Sequence, residues 1–293
     1  MSSFVCSPDT NMEVIMYCFL CEDSPNGIFS GIYDAWAFKV KQNQLFRQGA
    51  VSSPCTHADL SLRSSQPDNY ELFCEYIPVS TSARKSEKVA STIQKRLGQE
   101  FYEVLLTAIL SIPLSDTAGI DKADAAYHTV ALALSSPAAE KVLNHLTDPY
   151  IHRIFVLSRA TSQEAHHLKG FLRFGELENG VLFSVIHPKN NALPILAEHF
   201  TDRLPMENFM ILDENHQLAA IHAAGKDFML VDASGIDPML FSRYSQTEER
   251  YRALWHTFFT HIAIEARINP DLQANNIPKR FWGDTIELAS LLS

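Results

Sequence analysis

Cysteine is scarce in this chain and badly placed for cross-linking. Cys6, Cys18, Cys21, Cys55 and Cys74 all lie in the first quarter of 293 residues. An odd, one-sided set excludes the stapled architecture of small secreted domains. Positive charge is also short: 24 Lys and Arg face 34 Asp and Glu, for a formal net charge of −10. A protein that grips duplex DNA by neutralising phosphates carries the opposite imbalance. This excludes a stand-alone DNA-coating protein and leaves nucleic-acid contact to a local patch or to a partner. No apolar run approaches the roughly 20 residues of a membrane span, and no basic start with an apolar core marks a secretory leader. The expected location is the cytoplasm, with no membrane partner.

Several enzyme signatures are missing as well. There is no Walker loop, no G-x-S-x-G elbow and no G-x-G-x-x-G fingerprint. Ten of the twelve histidines follow residue 144, but none has H-E-x-x-H or facial-triad spacing, so no metal site is expected. The C-x-x-x-C-x-x-C cluster of radical-SAM enzymes is absent. Cys18-Phe19-Leu20-Cys21 is a lone C-x-x-C without a second half, and strand alternation sends its two thiols to opposite faces. Both are read as reduced, buried cysteines, and no cofactor is expected.

Hydrophobic residues make up 46% and charged residues 20%, enough for one large core or two ordinary ones. A strand over about 13–20 leads through Ser24-Pro25-Asn26-Gly27, a helix-start signal, into an apolar stripe of Ile28, Phe29, Ile32, Tyr33, Trp36 and Ala37. Residues 49–69 read as a loop and 70–79 as a strand. A long helical region then runs from Ser80 and Thr81 towards Leu110. Pro113 and Gly119 mark 113–122 as the linker, which separates an N-terminal α/β region (1–112) from a core domain (120–285). Helices are predicted at about 122–134 and 137–146. Asp148-Pro149 opens another that ends at Gly170, whose freedom allows a left-handed exit. Strands at 171–176 and 181–187 flank Leu177-Glu178-Asn179-Gly180, a hairpin signal. A helix near 192–201 and strands around 208–213, 217–223 and 227–232 follow. The last large helix, 247–267, carries Tyr251, Leu254, Trp255, Phe258 and Ile262 as a core-facing stripe. Clustered hairpins between helices predict an α+β fold: an antiparallel sheet built from hairpins and packed with several helices.

Two basic–aromatic clusters stand out. The first is Glu164-Ala-His-His-Leu-Lys-Gly-Phe-Leu-Arg-Phe174. It brings His166, His167 and Lys169 to a helix C-terminus, where cations are favoured. It then sets Phe171 and Arg173 on one face of a strand, a pairing able to stack a base and receive a phosphate. The second runs from Arg267-Ile-Asn-Pro270 to Pro278-Lys-Arg-Phe-Trp282. The candidate nucleic-acid residues are therefore Lys169, Phe171, Arg173, Arg267, Lys279, Arg280 and Trp282, with His166 lining the same surface. His166 and His167 are also the candidate acid–base residues. The structural alternative is that these cations only cap helix ends and pair with Glu164 or Glu176.

These segments, with Cys21-Glu-Asp-Ser-Pro-Asn-Gly-Ile-Phe-Ser-Gly-Ile-Tyr-Asp-Ala-Trp36, Glu176-Leu-Glu-Asn-Gly-Val-Leu-Phe183, Pro188-Lys-Asn-Asn191, His199-Phe-Thr-Asp-Arg203 and Leu254-Trp-His-Thr-Phe-Phe259, resemble a family of uncharacterised proteins. That family is linked to a radical-SAM protein and assigned to DNA metabolism or repair. The resemblance runs from about Glu13 to Thr285. It implies a radical-SAM protein as partner and DNA as the arena, and some relatives are joined to a uracil-DNA-glycosylase-like domain. It carries over no catalytic residue. Cys21 stands where many relatives have Tyr. Three functions follow as expectations: a DNA-repair accessory that touches nucleic acid locally, a repair enzyme using a histidine acid–base, or a protein–protein adaptor.

Overall fold

The structure is a computed structural model that describes residues 16–51, 53–66, 71–112, 119–237, 241, 243–262, 264, 269–285 and 288. The chain divides into two compact units, Met1–Ser158 and Arg159–Ser293. The division falls inside a helix and not at 113–122, of which residues 113–118 lie outside the described residues.

In the first unit, β1 (Met16–Leu20) leads to α1 (Pro25–Arg47), then β2 (Leu60–Arg63) and β3 (Cys74–Pro78). Ser24 caps α1 by accepting a hydrogen bond from the Gly27 amide at 3.0 Å, and Pro25 sits in the first turn, where its missing N–H costs nothing. The sheet order is β2-β1-β3, with β1 parallel to both neighbours. The purely antiparallel expectation is thus corrected, because hairpin signals reveal only local pairing. β2 lies in the stretch expected to be a loop; Leu60 and Leu62 point into the core and Ser61 and Arg63 outward. Two helices, α2 (Ala83–Leu97) and α3 (Gln99–Ile109), replace the single long one. Gly98 between them has φ 95° and ψ 165°, which breaks the helical ladder. α4 (Lys122–Ser135) and a 3-10 helix, Ala139–Asn144, complete this part. Small residues of α4 (Ala123, Ala125, Ala126, Ala133) are buried with Phe19, Ile28, Ile32, Leu60, Ile93 and Leu105 in one core. α4 therefore packs with the N-terminal residues.

α5 (Pro149–Phe171) begins at Asp148, whose carboxylate accepts from the amides of Tyr150 (2.9 Å) and Ile151 (3.1 Å). It runs on through Gly170, with the Leu172 amide still bonded to Leu168 O. Gly170 is absent from the positive-φ glycines, so the expected left-handed exit does not form. Strand β4 is only Gly175–Glu176, and Phe171 belongs to the helix. Then follow β5 (Leu182–Ile186), α6 (Leu193–Arg203), β6 (Phe209–Asp213), β7 (Leu218–His222), β8 (Met229–Asp232), α7 (Gln246–Ile262) and α8 (Pro270–Asn276). The second sheet has the order β4-β5-β6-β7-β8 and is mixed: β5 and β6 are parallel and the other pairs antiparallel. Alternation on β6 sends Phe209 and Ile211 to one apolar layer, with Leu168, Leu196 and Phe281, and Leu212 to another, with Phe183. The stripe of α7 faces solvent: Tyr251, Leu254, Phe258 and Ile262 are all more than half exposed. Of its expected continuation to Arg267, residues 263 and 265–267 lie outside the described residues, and Ile264 is not helical. Among the described residues no helix is long and apolar enough to cross a membrane.

Candidate functional site

Among the described residues the second unit contains one β-α-β crossover, β5-α6-β6. Its two parallel strands end side by side, with Ile186 paired to Asp213. Ligand sites in open sheets gather beyond the carboxyl ends of parallel strands. Here those ends release His187-Pro188-Lys189-Asn190-Asn191 and the Glu214–Gln217 turn, and the first segment is clamped from three sides. Glu164, 2% exposed on α5, accepts from the Lys189 amide (3.1 Å), the Asn190 amide (2.8 Å) and Asn190 Nδ2 (2.6 Å). Asn215 Nδ2 donates to Pro188 O at 2.9 Å. Asp213, fully buried, holds His216 Nδ1 at 2.8 Å and accepts from the amides of Asn215 and His216. That carboxylate raises the pKa of His216, against the opposing effect of burial, and a further bond to the Lys189 backbone adds to the rise. The protonated form of His216 is thereby favoured, and its ring ties Asp213 to the Lys189 backbone. Charge-assisted bonds of this kind are worth about 1.5–3 kcal/mol each.

Glu164 also draws in the C-terminal region. Arg280 Nη1 lies 3.4 Å from Glu164 Oε1, and its guanidinium covers the Phe281 ring at 4.5 Å. Phe281 is buried against His167 (5.8 Å between ring centroids) and Phe171 (5.6 Å). The end of α5 and the Lys279–Asp284 turn thus meet. Arg280, Lys189 and His187 are exposed there, and His187 Nε2 pairs with Glu214 at 2.6 Å.

The other expected residues are distributed differently. Trp282 is 8% exposed, and its Nε1 donates to Ile277 O at 2.7 Å, so its indole packs inward instead of offering a stacking face. Lys279 lies over its ring at 5.8 Å and remains exposed. Arg173 donates to Gly170 O (2.8 Å) and Leu172 O (3.2 Å), closing the end of α5. Lys169 lies close enough to His199 to lower its pKa, together with Arg203 and behind the effect of burial. His166 is exposed, while His167 Nδ1 is buried without a hydrogen bond among the described residues. Arg267 lies outside the described residues. Among the described residues no group of three His, Cys, Asp or Glu could hold a metal ion. Cys21 is buried, donates to Arg63 O at 3.3 Å, and has its thiol pKa pushed up to about 12 by burial. A thiol so hard to ionise is a poor redox nucleophile.

A second constellation, in the first unit, escaped sequence reading. A cleft of about 370 Å³ opens beside β2 and the start of α4. Asp124 Oδ1 accepts from the Leu62 amide at 2.9 Å and lies 3.5 Å from His128 Nε2. Burial lifts the Asp124 carboxyl to about 7 and lowers the pKa of His128. Tyr150 stacks on His128 at 4.2 Å, and buried Arg153 lines the same cleft. A carboxyl raised towards neutrality within 3.5 Å of an imidazole has the make-up of an acid–base pair. The one available signal was the i, i+4 spacing of Asp124 and His128, which puts both on one face of a helix.

The fold is thus α+β in two units, with a clamped loop bearing Lys189 in one and a cleft holding Asp124 and His128 in the other. Residues 121–287 match the family described as domain of unknown function DUF4130. The match covers more than half of the chain, which belongs to this family. No curated protein matches it.

Proposed function

We propose that this protein is an accessory factor in DNA metabolism or repair. It acts in the cytoplasm with a radical-SAM partner and touches nucleic acid locally through the second unit. The observation that carries the reading is the convergence on Glu164. One buried carboxylate fixes the Lys189–Asn190 backbone and Arg280, which are distant in sequence, and Lys189, Lys279 and Arg280 are all exposed. A rigid loop with exposed cations positions a phosphate backbone without sequence readout. A local patch also suits a chain of net charge −10, which repels long duplexes. The sequence resemblance supplies the radical-SAM and DNA context, and a uracil-DNA-glycosylase-like protein is a further partner in that context.

The test is the salt dependence of binding to a fluorescent single-stranded oligonucleotide. Lys189→Ala and Lys279→Ala should each weaken binding and reduce the log–log salt slope by about 0.7, one single-strand phosphate contact. Unchanged affinity and slope in both would overturn the proposed surface. Arg173 is a poor probe, because its removal also uncaps α5. Co-purification with the radical-SAM partner, followed by DNA-shift assays with and without this chain, separates the accessory from a pure adaptor.

A second reading, a repair enzyme, is favoured by the cleft and not by His166 or His167. Asp124 and His128 would share one proton near pH 7, with Asp124 as general acid and His128 as base. Incubation of the purified protein with damaged oligonucleotides should then give turnover that Asp124→Asn abolishes and His166→Ala leaves intact. Binding without turnover would leave the accessory reading standing alone.

A further inference from the structure

Three helices of the first unit leave room for a fourth. α1 lines a groove with Trp36 and Val40 above buried Ile32, at successive i, i+4 positions, and α2 does so with Val89 beside buried Ile93. Leu134 of α4, with buried Val130 beneath it, closes the third side. Ridges of this spacing pack into the grooves of another helix. Between them lies an open groove of about 980 Å³, at the upper limit of small-molecule pockets.

Its rim is predominantly basic. Lys41 of α1 and Arg84, Lys88 and Arg96 of α2 surround the apolar floor, and Glu87 is the single acid among the described residues lining it. Such a rim stands out on a chain with ten more acidic than basic residues. At 1.5 Å per residue, the cations from Arg84 to Arg96 extend over about 18 Å. A small anion has one charged end and cannot meet a row of that length. A nucleic acid would meet the cations but has no side chains to fill the floor. A row of carboxylates along a helix, beside an apolar ridge, matches both features.

We propose that this groove binds an amphipathic helix of a partner protein, whose apolar face is flanked by Asp and Glu. The inference rests on the first unit alone and is independent of the nucleic-acid surface in the second.

The probe is an 18-residue fluorescein-labelled helical peptide with Leu at helical spacing and Glu on the flanks, compared with a twin carrying Lys on the flanks. With the full-length protein, anisotropy should show the Glu peptide binding at least tenfold more tightly than the Lys twin. The double variant Arg84→Glu, Arg96→Glu should reverse that order. The conservative Arg84→Lys, Arg96→Lys pair should retain it, and thermal melts should show both variants folded. Equal affinity for the two peptides, or none for either, would overturn the proposal. So would self-association in sedimentation equilibrium that is lost in Val40→Glu, since the groove would then serve a second copy. Saturable binding of an anilinonaphthalene sulfonate that the Glu peptide fails to displace would point to a small amphiphilic anion and equally refute it. Failure here leaves the oligonucleotide titration unaffected, so the two proposals are tested separately.

Discussion

Asp124 shows what burial does to a single residue. Its oxygen keeps a hydrogen bond from Leu62, yet desolvation outweighs that bond and lifts the carboxyl from the usual 3.8 to about 7. Below 3.8 both folded and unfolded chains hold the proton. Between 3.8 and 7 only the folded chain does, so unfolding releases a proton and stability falls as pH rises through that window. Chemical denaturation of the wild type and Asp124→Asn should show this. The neutral variant lacks the slope, and its relative stability should rise by on the order of 2–4 kcal/mol between pH 4 and pH 8. A constant difference across that range would mean that Asp124 ionises as an exposed carboxylate does. His57 titrates in the opposite sense, held down at about 4 by burial beside Tyr127, so its contribution is lost as pH falls from 6.5 towards 4. The two windows overlap, so only the comparison with the variant isolates Asp124.

At the level of elements, close approach explains residues that composition alone leaves unremarkable. A Cβ on Gly31 of α1 would lie 2.9 Å from Cys21 Sγ and 3.1 Å from Leu62 Cδ2. The helix therefore sits so close to Cys21 and β2 that a larger residue would have to displace the Cys21 and Leu62 side chains. Gly31→Val should destabilise by about 1–3 kcal/mol through overpacking, measured by urea denaturation, while Gly170→Ala, in open space on a helix, should cost less. Gly27 is tighter still, since its Cβ would meet the Glu22 carbonyl. Helix starts were legible because their chemistry is local. Ser24-Pro25 and Asp148-Pro149 cap their helices as expected, and Gly180 adopts φ 79° in the expected turn. β2 was hidden because only Leu60 and Leu62 carry its pattern, within a stretch rich in Ser, Pro and Asp. Gly98 was passed over because one glycine inside a helical pattern is often tolerated.

For the molecule as a whole, Glu164 joins segments that lie about a hundred residues apart in sequence. Glu164→Gln keeps the size but loses the charge that holds two amides, a side-chain amide and Arg280. It should lower stability by about 1–3 kcal/mol and speed hydrogen exchange at the Asn190 amide. It should also weaken oligonucleotide binding, although Glu164 itself presents no cation. Unchanged exchange would show that His216 and Asn215 suffice to hold the loop. The candidate site was only partly legible. Arg280, Phe171 and His167 were singled out and do converge. Lys189 and His187 are not legible as neighbours of this site because their placement depends on the β5–β6 parallel pairing, a non-local event.

The order of residues by itself determined the α+β class, the capped starts of α1 and α5, the hairpin at Gly180 and the membership of Glu164–Phe174 in one basic–aromatic segment. Each of these depends on neighbours within a few positions, where backbone preference and hydrogen-bond reach decide. The tertiary structure decided which strands run parallel, that Trp282 faces inward while the α7 stripe faces water, and that Asp124 and His128 share a cleft. Those outcomes depend on which distant surface arrives to exclude solvent. Desolvation is a property of the assembled neighbourhood and not of any residue in it.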